Sequence, residues 1–381
     1  MKIKDLFDSN DNINWEFVNT IPEIVAMIGC KQNTDWHQEG DVYNHTKLVV
    51  QAMEEIIKKN NIQGNIIRRM LLAAALLHDI GKPVSVYWSE KENQWKTKDH
   101  GEAGSHIVRK LFYDDPDIFF REELVSMVRY HMVMHYIYRY SEKSKKKLIK
   151  LSCCHAPIQY MLWLNEADTA GAINDMETPE MRAEKFDMLN KMIDVLDIRW
   201  SRYDGYVNRL ARYKDLNNLT KLDTTNNSDE FNVYIMCGIP GSGKSTYIKD
   251  NLPNVPVVSR DIMRYEMGLT SSPNNKIIAS KEQEQKITKM MNDKIKEYCE
   301  AKQDFIIDNM NLRYVYRQKI LEAILPYNAY ITVIYVEAPD LKTCIKRRYG
   351  QIPADEYVRI LKSIDFPQPF EYDEITILKQ K

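Results

Sequence analysis

At 381 residues the chain exceeds one typical domain, so at least two are expected, each large enough for its own core. A formal net charge of −1 gives no overall attraction to nucleic acid, so any polynucleotide binding must use a local patch. No apolar run is long enough to cross a bilayer and the N-terminus has no signal-peptide core, which leads us to expect a cytoplasmic protein without a membrane partner.

The six cysteines form no Cys-x-x-Cys pair and fit reduced, packed thiols. Histidine is more informative: all eight, His37, His45, His78, His100, His106, His131, His135 and His155, lie in the first part of the chain. That part reads as helices throughout. From Asp41 to Asn60 the apolar positions Leu48, Val49, Ala52, Met53, Ile56 and Ile57 recur at helical spacing, with His45 one turn earlier on the same face. A second helix, Ile66 to Leu77, runs into His78-Asp79 and is stopped by Gly81 and Pro83. A third segment carries His100 and His106. A fourth, Glu122 to His135, places His131 and His135 four apart on one face, and a fifth, Tyr160 to Ala172, carries Asp168. A lone inward histidine is usually a hydrogen-bonded core residue, and His106, His135 and His155 are read that way. Neutral imidazoles and carboxylates from several helices can together surround one or two metal ions.

The order His45, His78-Asp79, Asp168 resembles the HD phosphohydrolase family. Glu39-Gly40-Asp41-Val42 before His45, the run Leu76 to Lys82, His100-Gly-Glu-Ala-Gly104 and Ala167-Asp168-Thr-Ala-Gly171 extend the likeness over roughly residues 35–175. The resemblance implies that His45, His78, Asp79 and Asp168 hold one metal, that Asp79 bridges to a second held by His100 and His131, and that phosphoesters are hydrolysed. Lys82 reads equally well as a phosphate contact or as a solvated lysine.

Residues 223–230 are polar and rich in turn-favouring types, and read as a linker between domains at 1–222 and 231–381. Beyond them the chain reads as α/β. Val233 to Cys237 is a buried strand leading into Gly238-Ile-Pro-Gly241-Ser242-Gly243-Lys244-Ser245-Thr246, the P-loop pattern. Its glycines let backbone N–H groups converge on phosphates, Lys244 reaches the β and γ phosphates, and Ser245 holds Mg²⁺. A second strand, Val255 to Ser259, ends at Asp261, placed to act as general base. A third, Phe305 to Asp308, ends in a carboxylate able to bind Mg²⁺ through water. A long charged helix from Lys281 to Lys302, a strand from Ala329 to Val336 and a basic helix from Leu341 to Tyr349 complete the reading. The basic helix offers Lys346, Arg347 and Arg348 as a phosphate lid or as a solvated face.

This half is similar to the 5′-OH polynucleotide kinase domain of end-healing enzymes in Gly238 to Thr246, Ser259-Arg260-Asp261-Ile-Met-Arg264, Ile307 to Leu312, and Lys346-Arg347 followed by Ile352-Pro353. The resemblance implies that Asp261 is the base on the 5′-hydroxyl, that Arg264 contacts the substrate phosphate and Arg347 the donor phosphates. Met310 stands where such kinases often carry threonine. The two halves in this order resemble the bifunctional HD-Pnk enzymes. The expected fold is an all-α HD-type bundle followed by an α/β P-loop kinase with a mainly parallel sheet. The expected cofactors are ATP or another NTP with Mg²⁺, and one or two divalent ions such as Mn²⁺, Ni²⁺ or Co²⁺. RNA or DNA ends are the expected substrate and a ligase the downstream partner. A small-molecule kinase fused to an HD nucleotidase is the alternative, and a nucleotide-gated regulatory protein with a non-catalytic bundle a third.

Overall fold

The computed structural model describes residues 1–152, 154–200, 231–270, 279–349, 351–368 and 371–380, and the chain divides into two compact units, Met1–Val207 and Asn208–Lys381. The expected linker at residues 223–230 lies outside the described residues.

The first unit opens with a short 3-10 helix, Ile3–Leu6, followed by two single-turn helices, Trp15–Val18 (α1) and Pro22–Val25 (α2). Helix α3, Val42–Lys59, begins where the Asp41 carboxylate accepts from Asn44 N at 2.8 Å, and it buries Val42, His45, Thr46, Val49, Val50 and Met53 along one stripe. Helix α4, Asn65–Leu77, is buried all round from Met70 onward, which fits a central helix of a bundle. It packs against α3. Beyond it lie α5 (His100–Leu111), α6 (Ile118–Tyr130), α7 (Met132–His135), α8 (Glu142–Ser152), α9 (Ile158–Gly171) and α10 (Pro179–Val195). Helix α9 lies close along α3, so close that a Cβ on Gly171 would come 2.8 Å from Val49 N.

Two expectations need correction here. The unit is not helical throughout: Val86–Ser89 (β1) and Gln94–Thr97 (β2) form an antiparallel hairpin with Trp88 opposite Trp95. Four-residue strands carry too little alternation to read from sequence. The single helix expected from Glu122 to His135 is two, broken at His131, so His131 and His135 do not share a continuous helical face.

In the second unit, strands Asn232–Cys237 (β3), Val257–Val258 (β4), Phe305–Asp308 (β5), Tyr330–Glu337 (β6) and Glu374–Lys379 (β7) form one sheet in the order β4-β5-β3-β6-β7, and every pairing is parallel. Helices α11 (Lys244–Asn251), α12 (Arg260–Glu266), α13 (Lys281–Glu300), α14 (Tyr314–Ile324), α15 (Leu341–Arg347) and α16 (Ala354–Lys362) accompany the strands. Strand β7 was not expected: EITILK is a short, half-buried edge strand. With β3 central, the carboxyl ends of β3, β4 and β5 open on the same side, where open α/β sheets bind ligands.

Candidate active sites

In the first unit the expected residues converge. Asp79 lies in the turn just after α4, buried to 2%, and its two oxygens face different histidines. Oδ2 lies 3.2 Å from His78 Nε2 and 3.8 Å from His45 Nε2, while Oδ1 lies 3.4 Å from His100 Nε2 and 3.7 Å from His131 Nε2. Asp168, from α9, places Oδ1 2.9 Å from His45 Nε2 and 3.6 Å from His78 Nε2. The result is two adjacent donor groups sharing Asp79: His45, His78 and Asp168 on one side, His100 and His131 on the other.

The ring tautomers test whether these residues fit metal ions. His78 donates its Nδ1–H to Ala75 O at 2.9 Å and His131 donates its own to Val128 O at 2.7 Å, so in each neutral ring the lone pair sits on Nε2. Both Nε2 atoms face carboxylate oxygen, and that of His78 is buried without a hydrogen-bond partner. A lone pair against an anion is repulsive unless a cation lies between them, so the donor set fits divalent ions.

For the two carboxylates and His100 the surrounding charge is consistent with this. Burial opposes ionisation of Asp79 and Asp168, but the Lys82 ammonium beside Asp79 and the imidazoles of His78 and His135 around Asp168 outweigh it, holding both well below the usual carboxylate range. Burial pushes His100 down to about 3, keeping it neutral. His45 goes the other way, up to about 9, because hydrogen bonds to Asp168 and Glu39 overcome its burial.

Several contacts go beyond the sequence reading. Lys82 is neither solvated nor free: 7% exposed, its Nζ lies 2.7 Å from Asp79 Oδ2 and donates to Gln32 Oε1 at 3.0 Å. Oε1 of Glu39 lies 2.8 Å from Nδ1 of both His37 and His45, obliquely in the second case, and Oε2 accepts from Ile173 N just past α9. His135, read as a core residue, is partly exposed and its Nε2 lies 3.0 Å from Asp168 Oδ2. Glu39 stood within the quoted motif without a role, and His135 was hidden by the helix break.

In the second unit a cavity of about 800 Å³ is lined by the P-loop and the ends of β4 and β5, including Lys244, Ser245, Asp261, Arg264, Asp308 and Arg347. Gly241 and Gly243 take φ of +79° and +105°, open to glycine at little cost, and a Cβ on Gly241 would come 2.7 Å from Cys344 O. Gly238 leaves β3 where a Cβ would come 2.5 Å from Val336 O, and Ser242 is fully buried beneath the loop. Lys244 donates to the carbonyls of Gly238 and Ile239 at 2.8 and 3.1 Å, and burial lowers its pKa. Ser245 and Thr246 are exposed at the start of α11. Asp308 is raised by burial, with Lys244 opposing.

Ser259 caps α12 by accepting from Ile262 N, which sets Asp261 in the first helical turn with its side chain 64% exposed. Arg264 donates to Asp261 Oδ1 at 2.6 Å and to Glu284 Oε1 at 2.8 Å. Arg347 donates to Gly241 O at 3.0 Å and to Gln380 Oε1 at 2.8 Å, joining the end of α15 to the loop. Tyr357, fully buried, donates toward Pro240 O and Cys344 O, an anchor that no sequence pattern marked.

A buried His/Asp cluster able to hold divalent ions and a P-loop cavity are the chain's two candidate sites. Residues 42–168 match the HD domain family and residues 233–356 the AAA domain family, so the chain joins an HD phosphohydrolase domain to a P-loop kinase-like domain. Among solved structures, a chain of "Structure of Pnkp1/Rnl/Hen1 complex" is 23% identical, with 34% of this chain and 43% of that one covered, at a TM-score of 0.29. A sugar kinase from a Janibacter species is 17% identical, covering 39% of this chain and 85% of that one, also at 0.29. No helix among the described residues is long and apolar enough to cross a membrane.

Proposed function

We propose that the chain heals nucleic-acid ends: the HD centre hydrolyses a 2′,3′-cyclic or terminal phosphate at a 3′ end, and the P-loop domain transfers a γ-phosphate from an NTP to a 5′-hydroxyl. The observation that carries this reading is the presence of both sites on one chain. A phosphate-removing and a phosphate-adding activity on one small metabolite would cancel. A broken strand has two chemically different ends, and both activities then advance the same repair. A joining ligase would follow.

At the HD centre, divalent ions held by His45, His78, Asp79 and Asp168, and by Asp79, His100 and His131, would supply a water acidified to near neutral pH and charge for the phosphate oxygens. Lys82, fixed by Gln32 and Asp79, adds a positive charge at the same place. His135, partly exposed and bonded to Asp168, would pass a proton to a departing ribose oxygen.

In the kinase domain the P-loop amides and Lys244 would hold the donor phosphates, with Ser245 and Asp308 as the protein's contacts to Mg²⁺. Asp261 is exposed toward the cavity and would accept the hydroxyl proton. Arg264, held by Asp261 and Glu284, would orient the acceptor phosphate, and Arg347, anchored on Gly241, would neutralise the transferring group.

The kinase half is tested by incubating the protein with γ-labelled ATP, Mg²⁺ and, in separate reactions, a 5′-OH oligonucleotide, a nucleoside and a simple sugar. Label in the oligonucleotide alone supports the reading. Label in the nucleoside or sugar alone gives the small-molecule alternative, which the near-zero net charge favours.

A further inference from the structure

Directly after α7 the chain runs without regular structure through Tyr136, Ile137, Tyr138, Arg139 and Tyr140. Ile137 is fully buried and pins the segment, while Tyr136, Tyr138 and Tyr140 are 55%, 69% and 56% exposed. Each ring has an ammonium on it: Lys147 at 6.0 Å from the Tyr136 centroid, Lys185 at 5.2 Å from Tyr138, and Lys145 at 4.8 Å from Tyr140. Helix α8, next in the chain, carries Lys143, Lys145, Lys146 and Lys147 close after Glu142, and buries Leu148 and Leu151 on its other side. In a chain with 53 basic and 54 acidic residues, this is a strong local excess of positive charge.

The segment is also tied to the metal centre. Its preceding residue, His135, bonds Asp168, and Lys185 donates to His135 O at 3.3 Å while lying over Tyr138.

Three exposed rings at alternate positions beside the lysines of α8 match one kind of ligand: a polyanion with free aromatic faces. Single-stranded nucleic acid has both, since its bases stack on tyrosines and its phosphates meet lysines. A duplex keeps its bases stacked inside, and an acidic peptide would use the charge but not the rings.

We infer that Tyr136, Tyr138 and Tyr140, with Arg139, Lys143 and Lys146, form a track that binds the single strand leading to a 3′ end at the HD centre. The inference rests on the nucleic-acid reading above. It adds a binding surface outside the metal ligands.

The test uses the full chain and two readouts. The first is the Kd of a fluorescent single-stranded RNA, followed by anisotropy across a salt series; the second is KM for hydrolysis of a 2′,3′-cyclic mononucleotide against the same end on a short RNA. Replacing all three tyrosines with alanine weakens RNA binding and raises the RNA KM by about tenfold or more, while the mononucleotide KM moves by less than about twofold. Lys143→Glu with Lys146→Glu weakens RNA binding and flattens its dependence on salt. Unchanged RNA affinity in the tyrosine variant overturns the track. So does an equal rise of KM for both substrates, or displacement of RNA by poly-glutamate as readily as by unlabelled RNA. A wild-type protein that binds the RNA through these tyrosines but hydrolyses neither substrate overturns the end-healing reading and leaves the track standing.

Discussion

Oε1 of Glu39 lies 2.8 Å from Nδ1 of His45, on the edge of the ring away from Asp168, and the carboxylate is only 2% exposed. This contact favours the tautomer with the proton on Nδ1, so that a cation could replace the proton between Nε2 and Asp168 Oδ1, 2.9 Å apart. Glu39→Ala is expected to weaken divalent-ion binding by about 10- to 100-fold, and Glu39→Gln, which keeps an acceptor, by less. Titration calorimetry with Mn²⁺ reads this directly. Equal affinity in the alanine variant would remove Glu39 from the site.

The two sites draw on separate residues, so they fail separately. Asp261→Asn should lower kinase turnover by about a hundredfold or more and spare hydrolysis at the HD centre. Asp79→Asn should do the reverse. A variant that lost both activities would show that the sites depend on each other.

Acid should destabilise the first unit, with Glu122 contributing beside Asp79 and Asp168. The Glu122 carboxylate is buried between Arg109 and Arg121, accepting from Arg109 Nη2 at 2.8 Å and Arg121 Nε at 2.9 Å, and despite the cost of burial its pKa falls from 4.5 to about 2. A lowered acid stabilises the fold above its unfolded pKa, so stability is lost as pH falls from about 4.5 towards 2, by roughly 3 kcal/mol in all. Tryptophan fluorescence reports this unit alone, since all six tryptophans, Trp15 to Trp200, lie in it. A flat denaturant midpoint between pH 5 and pH 3 in about these limits would contradict the assignment.

Gly81 has an ordinary backbone, but a Cβ there would come 2.0 Å from His100 O and 2.4 Å from Gly104 N. The turn after Asp79 therefore touches the backbone of α5. Gly81→Ala should cost about 1–3 kcal/mol or more and displace His100, so that the second equivalent of metal binds more weakly than the first. Thermal unfolding and a stoichiometric metal titration check both effects. Two equivalents bound with wild-type affinity would contradict the close approach.

The legible parts of the molecule were those where chemistry and periodicity coincide. His45, His78-Asp79 and Asp168 stood on or at the ends of apolar helices, and the P-loop sat between a strand and a helix, so the elements carrying these residues could be read from the sequence. What escaped depended on contacts distant in sequence. Gly81 read as a helix stop, whereas its reason is the approach of α5. Lys82 was ambiguous because Gln32, 50 positions earlier, decides where its ammonium sits. His135 was misplaced by a helix break that has no proline or glycine to announce it. Tyr357 and Gln380 reach the P-loop from the far end of the fold, where only tertiary structure brings them in.

The central claim is that one chain repairs both ends of a break. The most direct measurement is mass spectrometry of a short RNA bearing a 5′-OH and a 2′,3′-cyclic phosphate, incubated with the protein, ATP, Mg²⁺ and Mn²⁺. The expected product has gained a 5′-phosphate, and its cyclic phosphate has been opened or removed. RNA recovered with both ends unaltered, by protein that still consumes ATP on a small acceptor, would contradict it.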